Sequence, residues 1–177
     1  MVVLSIAGSL RRASVNRGLL RAARDVVPAG VTIEDLDLRA LPLYNPDDEP
    51  DPPAAGRELR ERVRAADAIL FATPEYNYSV PGVLKNAIDW GSQPLGANVW
   101  GAKPAAIVGA ANSVVGTARA QLHLRQSLVA LNMHVFNGEL LVGRAAERFD
   151  DAGNLVDPET RAALREFLMA WIGSLRW

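Results

Sequence analysis

The chain has 177 residues, a length that suits one domain, and 49% of them are apolar, enough for a substantial core. A net charge of -1 gives no cationic excess to draw nucleic acid or an anionic membrane, and the lack of any cysteine excludes disulfides, thiolate catalysis and cysteine–zinc sites. No apolar run approaches the roughly 20 residues needed to cross a bilayer, and the chain starts directly on a strand-like run with no leader pattern, so a cytoplasmic protein is expected.

In chain order, Met1 to Ala7 is an uncharged, β-branched run that predicts a buried strand ending at Gly8. Leu19, Ala22, Ala23 and Val26 share one helical face, and Pro28 and Gly30 stop that helix. Val31 to Leu36 alternates as an edge strand does. Leu41 to Pro53, LPLYNPDDEPDPP, predicts a loop. A charged helix around Arg57 to Ala65 leads into a third strand, Ala68 to Ala72, and a third helix follows from Val80 to Trp90. Pro104 to Ala111 predicts a fourth strand, Thr117 to Leu131 an amphipathic helix, and His134 to Val142 a fifth strand. The last helix carries Leu164, Phe167, Leu168, Trp171, Ile172 and Leu175 along one stripe. Strands alternating with helices imply a parallel sheet covered on both faces, with ligands beyond the carboxyl ends of its strands.

The loops after strands one, three and four have the composition of a site. GSLRRASVNR, Gly8 to Arg17, combines a glycine turn, the short polar side chains of Ser9, Ser14 and Asn16, and the guanidinium groups of Arg11 and Arg12 at a helix start. Such a start offers free N–H groups and a dipole that favours an anion, and guanidinium suits phosphate bidentately. The competing reading is that Ser14 or Asn16 only caps the helix. Without G-x-G-x-x-G or a Walker lysine, the loop points to a mononucleotide rather than a dinucleotide or a triphosphatase. Pro74 to Ser79 crowds Glu75, Tyr76, Asn77, Tyr78 and Ser79 at the sheet edge, which suits the rim of a flat heteroaromatic ring or a plain turn with packed tyrosines. Ala110 to Ala118 holds Asn112, Ser113, Gly116 and Thr117, small residues that let a ligand approach backbone or that open a helix.

Taken together, GSLRRASVN, LPLYN with PEYNYSVPGVLKNAIDW, and KPAAIVGAANSVVGTARAQLHLRQ resemble the NAD(P)H-dependent FMN reductase family, a flavodoxin-like group of quinone, chromate and azo-dye reductases. The likeness runs from Met1 to about Asn137. It implies a flavodoxin-like α/β three-layer sandwich with a five-stranded parallel sheet of order 2-1-3-4-5, filling residues 1–177 as one FMN-binding domain. It also implies FMN as cofactor, NADPH or NADH as co-substrate, a small-molecule electron acceptor, and a homodimer that in some members pairs into a homotetramer. By that resemblance Ser9, Arg11, Ser14 and Asn16 hold the FMN phosphate. Pro74, Glu75, Tyr76, Asn77 and Ser79 line the isoalloxazine, and Ser113, Gly116 and Thr117 approach it from the other loop, where many relatives have more glycine. No side chain is expected as catalytic acid, base or nucleophile, because the chemistry belongs to the flavin, and no metal site is expected, because His123 and His134 lie on separate elements with no carboxylate cluster beside either. A flavodoxin-type electron carrier or a non-catalytic flavin sensor is the alternative. Against the carrier, the chain lacks its Thr- and Ser-rich phosphate loop and strongly acidic surface.

Overall fold

The computed structural model describes residues 1–175, so the last two residues of the expected 1–177 domain lie outside it. Its strands are β1 (Val2–Ala7), β2 (Thr32–Leu36), β3 (Ala68–Ala72), β4 (Pro104–Ala110), β5 (His134–Val135) and β6 (Leu140–Val142). Its helices are α1 (Val15–Val26), α2 (Ala54–Ala65), α3 (Gly82–Ser92), α4 (Ala118–Ala130), α5 (Ala145–Arg148) and α6 (Pro158–Ser174). The sheet is parallel throughout and runs β2-β1-β3-β4-β5, with β6 also pairing with β4. This is the order expected for a flavodoxin-like fold.

Two expectations need correction. The fifth strand is not continuous from His134 to Val142. It pairs with β4 at Pro104 and Ala105, leaves the sheet after Phe136, and returns as β6 at Val108 to Ala110. Between the two paired segments, Gly138 lies close under the Phe136 ring, where a Cβ would meet a ring carbon at 2.4 Å. Arg125 of α4 donates to the Phe136 carbonyl and Gln121 to the Leu140 carbonyl, satisfying backbone on both sides of the interruption. The acidic loop is likewise not wholly irregular: Pro46–Asp48 forms a 3-10 turn capped by Asn45.

Period-two alternation divides the core between the sheet faces. Val3, Ala68, Leu70, Ala72, Ala106 and Val108 face α1 and α6, where they meet Leu19, Ala23, Leu168 and Trp171. Leu4, Ile6, Ile69, Phe71 and Ile107 face α2, α3 and α4, against Leu59, Leu84, Ile88, Trp100 and Leu124. The alanines on the first face let α1 sit close to the sheet centre. Its N-terminus is thereby fixed over the carboxyl ends of β1 and β4.

Arg60, buried on α2, stabilises the chain beyond α3. Its guanidinium donates to the carbonyls of Trp90, Gln93 and Ala97, so a cation meets the oxygens at a helix C-terminus. The loop from Leu41 is tied to α3 as well. Asn86 Nδ2 and Trp90 Nε1 both donate to the Pro42 carbonyl, and the Tyr44 ring packs edge-on to Trp90 with centroids 5.3 Å apart.

Candidate flavin site

An open cleft of about 250 Å³ lies beyond the carboxyl ends of β1, β3 and β4. Strand order reverses around β1, the position where open α/β sheets bind ligands. Its wall is formed by Ser9, Arg11, Ser14, Val15, Asn16, Pro74, Glu75, Tyr76, Ala110, Ala111, Asn112 and Ala145. Gly8 makes the first loop possible. A Cβ there would lie 2.8 Å from Pro81 and 3.1 Å from Pro74, so only glycine lets the second loop close over the end of β1.

Ser14 is the N-cap of α1 and accepts from the Arg17 N–H at 3.3 Å. Ser9 accepts weakly from the Arg11 N–H at 3.4 Å. Both hydroxyls are buried, and their protons find no acceptor among the described residues. The Arg11 side chain is exposed and makes no ion pair among those residues. Two hydroxyl protons, one uncommitted guanidinium and a helix N-terminus therefore converge on one rim. That donor set fits a phosphate group.

Asn16 lines the cleft, but its amide is already engaged. Nδ2 donates to the Ala110 carbonyl and Oδ1 accepts from the Ala110 N–H, both at 2.9 Å. The side chain thus ties the first loop to the end of β4.

The second loop is a tight reversal. Tyr76 and Ser79 exchange two backbone hydrogen bonds, and Asn77 (φ 48) and Tyr78 (φ 66) between them are left-handed. This is the geometry of a type I′ turn, unfavourable for tyrosine. A stack supports it: the Arg119 guanidinium lies 4.0 Å over the Tyr78 ring centroid. Arg119 is in turn held by Glu75, whose carboxylate accepts from the Arg119 guanidinium at 2.8 Å and from the N–H groups of Arg119 and Ala120. Burial pushes the Glu75 carboxyl up, but these donors together outweigh it and hold the group below the usual carboxylate range. Ser79 shares a 3.0 Å hydrogen bond with His123 Nδ1.

Glu75 is therefore the real cap of α4. Thr117 makes no capping bond; its hydroxyl instead accepts from Gln121. Ser113 donates to the Gly116 carbonyl, and Gly116 (φ 61) packs against the backbone of Leu141 and Val142. Of the residues expected at the site, Ser9, Arg11, Ser14, Asn16, Pro74, Glu75 and Tyr76 line the cleft, whereas Asn77, Ser79, Ser113, Gly116 and Thr117 stand outside its wall. In the third loop Asn112 reaches the wall in their place. Ala145, at the start of α5, joins the wall because the Ala145 N–H bonds to the Ala111 carbonyl and the Arg144 N–H to the Ser113 carbonyl. An alanine in a short helix carries no sequence signal for such a place.

Among the described residues no cluster of His, Asp or Glu could hold a metal ion. The family model for NADPH-dependent FMN reductase matches residues 1–147. The chain belongs to this family. It is 49% identical to the NAD(P)H-dependent FMN reductase of Pseudomonas aeruginosa over 180 residues, covering 98% of this chain and 96% of that protein. It is 41% identical to the 2-hydroxy-1,4-benzoquinone reductase of a Burkholderia species over 175 residues, covering 97% and 96%. Among solved structures it is similar to FerB, a flavoenzyme NAD(P)H:(acceptor) oxidoreductase from Paracoccus denitrificans. There the TM-score is 0.89 at 35% identity, with 97% of this chain and 95% of that chain covered.

Proposed function

We propose that this member of the FMN reductase family takes a hydride from NADPH or NADH and reduces quinones, free flavin or other small oxidants such as chromate or azo compounds. The observation that carries the proposal is the cleft itself: uncommitted phosphate donors at one end and the Pro74–Tyr76 rim at the other, at the strand ends where this fold binds ligands. FMN, held at its phosphate by Ser9, Arg11 and Ser14, would supply the redox chemistry that couples nicotinamide oxidation to acceptor reduction.

The protein's part is to bind and orient. Ser9, Ser14 and Arg11 donate to the phosphate, while Asn16 keeps their loop in register with Ala110. Pro74, Glu75 and Tyr76, with Asn77 and Ser79 in the turn beyond, border the ring. Glu75 contributes no free charge there, because Arg119 and two backbone N–H groups neutralise it. Ser113, Gly116 and Thr117 act at one remove by shaping the loop that presents Asn112. The openness of the cleft suits flat acceptors that enter and leave the same space.

We assign the protein to the cytoplasm, where reduced nicotinamide is available, and to a homodimer or a tetramer of paired dimers. The exposed Leu122 and Val129 on the outer face of α4, with the exposed Tyr78 and Val114 in the second and third loops, support the dimer. Among the described residues, no helix is long and apolar enough to cross a membrane.

The test is a visible spectrum of the purified protein, with and without added FMN, followed by NADPH and NADH oxidation with and without a quinone. A colourless protein that FMN cannot reconstitute overturns the proposal. A yellow protein inert to both nicotinamides makes it a carrier or sensor. Arg11→Ala is expected to weaken FMN binding more than riboflavin binding, since only FMN has a phosphate. Equal losses, read by fluorescence titration, remove Arg11 from that role.

A further inference from the structure

Ser9 lines two spaces. One is the cleft; the other is a more enclosed cavity of about 120 Å³ on the β2 side of the same loop. Its wall on one side is α1, which presents Arg17, Arg21 and Arg24 at helical spacing. Its wall on the other is the end of β2 and the residues beyond, with Asp35 and Asp37.

The charges are unevenly settled. Arg24 pairs with Asp35, which also accepts from the buried Ser5 hydroxyl. Asp37 is clamped by the guanidinium and backbone N–H of Arg39. The Arg39 side chain is the main cause holding the Asp37 carboxyl below its usual range, against burial, and Arg17 adds a weaker attraction. Arg21 bonds only neutral oxygens, the Gly153 carbonyl and Asn154 Oδ1. The Arg17 side chain has no ion pair or hydrogen bond among the described residues. Two guanidinium groups one turn apart thus form no ion pair among the described residues, Arg17 being drawn only weakly to Asp37 and Arg21 to Asp150, and like charges at that spacing repel.

We propose that this cavity is a second anion site that takes one phosphate group, held by Arg17 with Arg21. The volume is below the roughly 300 Å³ of a pocket for a whole drug-sized ligand, yet many times that of one water. It therefore suits a single tetrahedral dianion, which would offset the Arg17–Arg21 repulsion and meet the guanidinium fork. The phosphate has two possible sources: inorganic phosphate in solution, or the 2′-phosphate of NADPH. The second source rests on the reductase reading and would make the site a determinant of NADPH over NADH; anion binding itself does not depend on that reading.

The test is calorimetric titration of FMN-saturated protein with inorganic phosphate, the cleft's own phosphate position then being filled. Saturable binding is expected, weakened about tenfold or more by Arg17→Gln and only partly by Arg17→Lys. Absence of saturable binding to the wild-type protein, or binding unchanged by Arg17→Gln in a variant with a native circular-dichroism spectrum, overturns the proposal. Flavin-free Arg11→Ala protein is titrated in parallel. Retained phosphate binding there supports the cavity even if the protein takes up no FMN, and lost binding places the anion in the cleft and overturns the second site. Adenosine 2′,5′-bisphosphate and adenosine 5′-monophosphate then separate the sources. Tighter binding of the bisphosphate, abolished by Arg17→Gln and matched by a rise in KM for NADPH but not NADH, identifies the nucleotide. Equal binding of the two nucleotides, with phosphate binding intact, identifies the free anion.

Discussion

The amide of Asn16 meets both backbone groups of Ala110, a residue 94 positions away. An asparagine at a helix start reads in sequence as a cap or a ligand donor; nothing local distinguishes those from a long-range clip. Asn16→Ala leaves a buried N–H and a buried carbonyl unpaired, and is expected to cost about 2–4 kcal/mol in urea denaturation. A loss below about 0.5 kcal/mol would mean that water replaces the amide at little cost. The sequence marks Glu75 as a candidate site residue but not as a cap, because its helix begins more than forty residues later. Its carboxyl lies below the unfolded value of about 4.3, so the stabilisation it gives is complete above that pH and is lost as pH falls through the folded value. Wild type is expected to melt higher than Glu75→Gln at pH 7, with the gap closing toward pH 3. A gap constant across that range would exclude the carboxylate as its cause.

At the scale of elements, α1 shows where local rules mislead. Gly18 sits in its second turn, where alanine would ordinarily stabilise a helix by about 1 kcal/mol. Here a Cβ would fall 1.9 Å from the Gly153 carbonyl oxygen, so the loop before α6 packs directly on the helix backbone. Gly18→Ala is therefore expected to lower stability by about 1–3 kcal/mol, read as a fall in thermal midpoint. A rise would show that this loop yields easily. The fifth strand misleads in the opposite way. His134 to Val142 is apolar enough to read as one strand, and Asn137 and Gly138 mark the interruption only once the pairing is seen to break between Val135 and Leu140. Strand and helix identities elsewhere were legible because each element keeps one period over its length, and the α1 and α6 stripes meet the alanine-rich face that the pattern requires.

For the whole molecule, alternation of strands and helices points to the carboxyl ends of the sheet, where the candidate cleft lies. It could not say which small residues of the third loop face the cleft, since that depends on how Gly116 packs against β6. The proposed homodimer makes a prediction at this scale. Leu122, 55% exposed on the outer face of α4, is expected to lie in the interface, so Leu122→Glu should shift the sedimenting species toward monomer while far-ultraviolet circular dichroism stays unchanged. A dimer that persists would put the contact on another face.

The interrupted fifth strand also bears on how copies of the chain meet one another. A sheet border is a template for strand addition wherever it offers a long row of unpaired backbone groups. Here the β6 border is broken between Val135 and Leu140, and the β2 border carries Glu34, paired with Arg62, and Asp35, paired with Arg24. One margin is discontinuous and the other is charged, so neither invites ribbon growth. The proposed homodimer would then form through helical faces, and concentrated solutions should stay free of amyloid-type dye binding under conditions where the fold is intact.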